Sequence, residues 1–253
     1  DDPVGFGEDL YLHAWSTLGA SLRDVGRLDS ALQALEPSYE RLATLHGARG
    51  TEATTAGVEY AKALLTTGSD ADGEYAVELL EHDVERRTES APGTWETIEA
   101  QLQLARTALA TDQFALAEEV AQNVESFVEK PHTNVHPLWL ESRKIEARAV
   151  LLQNKINRSI EVLQQAIWAV EQCKVPDVPI LADLKLQLGD SFVHAGMYTE
   201  GIEAAKEAVA LRDRLGPDHP QALAPQVELG KLYIETQRID DAVRTLEDAL
   251  RIQ

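Results

Sequence analysis

The chain has 253 residues, with 23 Lys and Arg against 43 Asp and Glu and a formal net charge of −20. A field of that sign opposes generic DNA, RNA or anionic-membrane binding, each of which needs a cationic footprint. Cys173 is the only cysteine, so no intramolecular disulfide can form; no long apolar run is present, and no signal peptide is expected.

From the N-terminus onward, apolar and small residues recur at three- and four-residue spacings, the period of a helix rather than a strand. The first unit, about residues 9–47, carries Trp15, Leu18, Gly19, Leu22 and Ala31. The second, 51–90, centres on Ala61 and has extra turn residues, Gly68 to Gly73, which bring Ala76 into step. The third, 94–130, centres on Ala105, and the fourth, 137–174, on Ala147. The fifth, 179–215, has Leu188, Gly189, Phe192, Gly201 and Ala208 in sequence. The sixth, 220–253, shows the pattern most clearly, with Val227, Leu229, Gly230 and Tyr233 in one half and Ala242, Val243, Leu246 and Leu250 in the other. Between those halves, Glu235 to Arg238 has no apolar residue and reads as a turn. Small residues at Gly230 and Ala242 let the paired helices approach closely.

The six anchors, Gly19, Ala61, Ala105, Ala147, Gly189 and Gly230, stand 42, 44, 42, 42 and 41 residues apart. Two further markers fall in register. Seven residues after the anchors stand Gly26, Gly68, Asp112, Asn154, Gly196 and Gln237, where each turn is expected. Five of these six types tolerate the left-handed backbone. Ten residues before the last three anchors stand Pro137, Pro179 and Pro220, suited to the first turn of a helix, and Gly216 suits the end of the helix before.

A leucine before a small residue, an aromatic three later and small residues in the second helix resemble the tetratricopeptide repeat. The longer period and the linker Leu215-Gly-Pro-Asp-His-Pro220 are similar to the kinesin light chain variant of that repeat. The resemblance implies an all-α fold, a right-handed α-α superhelix of about six helix hairpins filling residues 1–253, with the first helix of each hairpin on the concave face. It implies a surface for proteins or peptides, and no enzyme. Units two to four depart from the pattern, and Glu146 stands where leucine is expected. Kinesin light chain repeats also carry a ladder of asparagines just before the first-helix leucine. Here those positions hold Thr17, Glu59, Gln103, Ile145, Gln187 and Glu228, so that mode of cargo recognition does not transfer.

Sites of chemistry are sparse. His132 and His136 have helical spacing, but Pro131 and Pro137 bracket them and no third ligand stands nearby; as linker residues, His136 and His219 are expected to shape inter-repeat turns. No phosphate-cradling glycine loop and no nucleophile motif around Cys173 is present, and Cys173 reads as a helix-end packing residue. Neither catalysis, nor a metal, nor a cofactor is expected.

Function is therefore expected on the first-helix row. Directly after the anchors come Ala20, Lys62, Arg106, Arg148, Asp190 and Lys231, four of them basic in an acidic chain. Lys144 adds a cation three before its anchor, where Val58 and Leu102 supply apolar side chains and Gln103 a hydrogen-bonding amide. Lys62, Arg106, Lys144, Arg148, Lys231, Val58, Leu102 and Gln103 together suit a peptide with acidic residues or a free carboxylate. The competing expectation is that the cations only neutralise neighbouring acids. Two other functions fit the same pattern: a sensor of a small anionic ligand or signalling peptide, and self-association through the last hairpin, whose apolar edge lacks a following helix. The expected context is a larger bacterial regulatory protein, and a lone cysteine favours the cytoplasm slightly.

Overall fold

The computed structural model describes residues 3–127, 135–173, 177–213 and 223–251. Among the described residues there are helices and turns and no strand. In chain order the helices are α1 (Pro3–Asp24), α2 (Leu28–His46), α3 (Thr51–Leu64), α4 (Asp70–Ser90), α5 (Trp95–Ala110) and α6 (Phe114–Phe127). They continue as α7 (Pro137–Leu152), α8 (Ile156–Glu171), α9 (Val178–His194), α10 (Tyr198–Asp213), α11 (Leu223–Glu235) and α12 (Ile239–Leu250). The backbone divides into two compact units, Asp1–Val120 and Ala121–Gln253.

Turn chemistry fixes the hairpins. All six marker residues have left-handed backbone: Gly26 (φ 79°), Gly68 (72°), Asp112 (59°), Asn154 (62°), Gly196 (76°) and Gln237 (60°). In five turns the next N–H reaches back to close the helix end, from Arg27 to the Leu22 carbonyl and likewise Gln113 to Ala108, Lys155 to Val150, Met197 to Phe192 and Arg238 to Tyr233, at 2.8–2.9 Å. This is the six-to-one bond by which a left-handed residue satisfies orphan carbonyls. The lengthened α3–α4 turn is tied differently: the Thr67 hydroxyl donates to Asp72 (2.6 Å) and accepts from the Ser69 N–H (3.2 Å).

Helix starts follow the prolines and caps. Pro137 opens α7, with the His136 Nδ1 accepting from the Leu138 N–H (3.2 Å), and Asp177 caps α9 by accepting from the Ile180 N–H (3.1 Å). His136 thus has the turn-shaping role expected of it. His132, Gly216, His219 and Pro220 lie outside the described residues. Cys173 follows α8, half-buried, with its Sγ 3.6 Å from the Ala169 carbonyl oxygen.

In the first unit each helix from α1 to α4 packs on the next, and α1 also touches α3. The core is built from Leu35, Leu42, Tyr60, Ala61, Leu79 and Ala105, all buried. Burying a leucine of this kind contributes roughly 1.5–3 kcal/mol. Tyr39, Tyr60 and Tyr75 form a ring cluster with centroids 6.1 and 5.9 Å apart, and burial pushes the Tyr39 phenol up to about 12.

The second unit stacks α7 to α12 in the same manner, and first helices meet as α7 with α9 and α9 with α11. Gly189 explains a close crossing: a Cβ there would stand 2.9 Å from the Gly201 carbonyl oxygen, backbone against backbone. At Gly230 the added Cβ would meet the Leu246 side chain at 2.6 Å.

Glu146, in place of leucine, is only 1% exposed and is held by charge rather than by apolar contact. Arg143, itself 2% exposed, donates to it at 2.6 Å, Arg158 donates at 3.1 Å and the Gln122 amide at 3.2 Å. Arg143 also reaches Glu125 of α6 (2.9 Å) and Gln165 of α8 (3.0 Å) and lies over the Trp139 ring. An apolar position of the repeat has become a closed polar cluster.

Candidate partner-binding surfaces

In the first unit, α3 and α5 carry the residues expected to bind. Lys62 is half-exposed and donates to Glu59 one turn back on α3 (2.6 Å). Glu59 also receives Arg23 from α1 at 2.8 Å. Burial opposes the Glu59 charge, but the hydrogen bonds from Lys62 and Arg23 outweigh it and hold this carboxyl below its ordinary value. Val58 is half-buried beside them on α3. Leu102 corrects the expectation: at 1% exposure it belongs to the core and offers no surface to a partner. Its position faces inward because α5 buries Ile98, Leu102 and Ala105 along one helical stripe.

Gln103 and Arg106, by contrast, come together in one cleft of about 520 Å³ between the α3–α4 turn, the start of α4 and the end of α5. Its wall includes Asp70 and Glu74 of α4 and Asp112 of the next turn. Reading the first-helix row alone missed these three carboxylates, because the repeat places them in turns and second helices. The cleft therefore brings a guanidinium and an amide together with acidic groups. A chain carrying both a carboxylate and a cation has complementary partners there.

In the second unit the cations are spent largely on neighbours. Lys144 pairs with Glu141 (2.8 Å) and Lys231 with Glu228 (2.6 Å), each one helical turn back. The hydrogen bond to Glu228 raises the Lys231 pKa. Arg148 reaches across from α7 to Asp190 of α9 (2.7 Å), where His194 also approaches at 3.2 Å. Arg148 and Asp190 occupy the same place in successive repeats, so the repeat itself puts them side by side. Of the positions matching the asparagine ladder, Glu59 and Glu228 are engaged with lysines and Ile145 is buried. Gln187 lies beside the Arg148–Asp190 pair, and its Oε1 is buried without a protein partner.

Residues 181–253, spanning α9 from its first turn through α12, match the family model of the tetratricopeptide repeat. The helix pairs, their left-handed turn residues and their small crossing residues extend the same design upstream. A kinesin light chain variant from Podosopora anserina, described as having nearly identical TPR-like repeats, is 26% identical, covers 79% of this chain and 93% of its own, and superposes with a TM-score of 0.64. Residues 181–253 are tetratricopeptide repeat, and the chain shares its fold with kinesin light chain TPR-like repeats. A second structure of those Podosopora anserina repeats is 21% identical over 82% of this chain and 98% of its own, with a TM-score of 0.68. A Rap protein complexed with Competence and Sporulation Factor shares the fold at 12% identity, covering 96% of this chain and 76% of its own, with a TM-score of 0.60. No curated protein matches the sequence.

Tetratricopeptide repeats are scaffolds for protein–protein interaction, and this fold provides one. Among the described residues, no helix is long and apolar enough to cross a membrane and no group of three or more His, Cys, Asp or Glu side chains converges as a metal site would require.

Proposed function

We propose that this chain captures a peptide segment of a partner protein, and that the cleft around Gln103 and Arg106 is its principal recognition point. The observation that carries the reading is the convergence of Arg106, Gln103 and three carboxylates on one open cleft in the first unit. A terminal or side-chain carboxylate of the peptide meets Arg106, and a flanking Lys or Arg faces Asp70, Glu74 or Asp112. Lys62, Lys144, Arg148 and Lys231 act as a secondary field. They lie outside that cleft, each beside an acid, and tune selectivity more than affinity.

The test is capture from a library of short peptides displayed with free C-terminal carboxylates or as amides. Arg106→Glu is expected to weaken the best free-acid peptide at least about tenfold, the scale of a lost charge-assisted hydrogen bond, with helical content unchanged by circular dichroism. Undiminished capture by this variant refutes the cleft assignment.

A small-ligand sensor is the second reading. A volume of about 520 Å³ falls within the range that holds small molecules, and the Rap protein shows the same fold in a complex with Competence and Sporulation Factor. A thermal shift with a free anionic metabolite, but none with peptides, would favour it.

A further inference from the structure

In the second unit a pocket of about 260 Å³ lies where the start of α10 meets the turn from α11 to α12. Its wall includes Tyr198, Ile202, Glu203 and Lys206 of α10 with Thr236 and Arg238 of the turn. Thr236 stands six residues after its anchor, as Thr111 does in the Gln103–Arg106 cleft, so the two recesses occupy the same place between successive repeats. Their charge is opposite. The first sets Arg106 among Asp70, Glu74 and Asp112, whereas the second sets Lys206 and Arg238 beside Glu203.

Lys206 departs from the repeat in two ways. Each second helix has a small residue at its crossing: Ala31, Ala76, Ala117, Ser159, Gly201 and Ala242. Five residues after these stand Glu36, Glu81, Gln122, Gln164, Lys206 and Glu247, so the fifth repeat alone puts a cation there. The second departure is in its pairing. Glu203 stands three residues before Lys206, the spacing at which Lys62, Lys144 and Lys231 meet their acids. Yet Lys206 forms neither an ion pair nor a hydrogen bond among the described residues. Arg238 is held from behind: Asp241 accepts from its Nε at 2.8 Å and from its Nη2, and the guanidinium lies 4.8 Å from the centre of the Tyr233 ring. That clamp fixes the group while its Nη1 hydrogens remain unbonded among the described residues.

We propose that this pocket binds the side-chain carboxylate of a Glu or Asp on a partner protein. The carboxylate meets the Lys206 ammonium and the remaining donors of Arg238, and its methylene groups lie against Tyr198, whose ring is 51% exposed, and Ile202. Ion pairs flanked by such apolar walls are screened less than pairs on open surface. Size favours one side chain over a whole small molecule, since pockets for drug-sized ligands begin at about 300 Å³. All of these residues belong to the second unit, so the proposal stands or falls apart from peptide capture at the Gln103–Arg106 cleft.

The experiment presents the full chain with acetylated, amidated heptapeptides carrying a central Glu or Asp among uncharged neighbours, and with the same library carrying Gln or Asn. The chain carries Arg106→Glu throughout, so the first cleft contributes no cation. Acidic peptides are expected to be enriched over their amides by about tenfold, the scale of a charge-assisted hydrogen bond. Adding Lys206→Met is expected to abolish that preference, and adding Lys206→Arg to keep it; Lys206 is exposed, and circular dichroism checks that the helices remain. Equal capture of acids and amides overturns the proposal, and so does a preference that survives Lys206→Met. Displacement of the captured peptides by an equal concentration of inorganic phosphate would make the pocket a free-anion site and overturns it as well.

Discussion

The polar cluster around Glu146 offers a sharp test of what holds the fourth repeat together. Arg143→Met removes the donor at 2.6 Å and leaves a carboxylate that is 1% exposed. Stranding a buried charge in this manner costs about 3–5 kcal/mol. Arg158 still reaches Glu146 at 3.1 Å, but from a half-exposed position, so the lower end, about 3 kcal/mol, is expected. For a chain of this size that amounts to a fall in Tm of roughly 6–12 °C. The double variant Arg143→Met/Glu146→Leu restores the leucine of the repeat and strands neither charge, since Glu125 and Arg158 both have access to water. It is expected to match the wild type or to be up to about 4 kcal/mol more stable. Urea unfolding followed by tryptophan fluorescence measures both, because Trp139 is buried beneath Arg143. A single variant costing under about 1 kcal/mol, the range of a surface ion pair, would refute the account. So would a double variant worse than the single, by showing that the cluster gains more from its charges than a leucine supplies.

The turns and crossings give three further expectations. Gly196→Ala places a Cβ on a residue at φ 76° and should destabilise by roughly 1–2 kcal/mol, while Gln237→Gly relieves that strain at φ 60° and should stabilise by up to about 1 kcal/mol; urea midpoints of both decide it. Gly189→Ala should cost more than Gly230→Ala, on the order of 1–3 kcal/mol, because its Cβ meets the Gly201 backbone rather than a leucine side chain that can rotate; equal Tm losses would contradict this. The third concerns pH. The His46 Nε2–H donates to the Asp9 carboxylate at 2.8 Å, a hydrogen bond that raises the imidazole pKa. A raised folded-state pKa adds stability that is fully present below the unfolded value near 6.5 and is lost as pH rises through the folded value. The Tm of the wild type minus that of His46→Gln should therefore shrink from pH 5.5 to 8.5, and a difference that grows would reverse the assignment.

The repeat was legible because its determinants are local. A left-handed turn needs Gly or a residue that tolerates positive φ, and a close helix crossing needs a small side chain, so both leave marks at fixed spacing. Gln237 shows the limit: its type gives no warning, yet its place in the period put it at φ 60° alongside the glycines. Leu102 shows the opposite failure. Three before the anchor, Val58 and Lys144 stay half-buried, but the stripe of α5 turns Leu102 fully inward, since Ile98 and Ala105 on the same stripe are also buried.

Charge was the least legible layer. A row of cations in an acidic chain looks like a binding face when read one position at a time, yet the repeat also sets acids one turn back on the same helix and at the same place in the next repeat. Lys62, Lys144 and Lys231 each have an acid exactly three residues before them, and Arg148 meets Asp190 across one period. The period that reveals the fold thus also supplies the neutralising partner, so a lone surface cation in such an array is weak evidence of a ligand. What distinguishes Arg106 is not its charge but its setting, a cleft opened where the α3–α4 turn breaks the regular five-residue closure made by the other five turns. Irregularity in the repeat, rather than the repeat itself, is where a partner-specific surface can form.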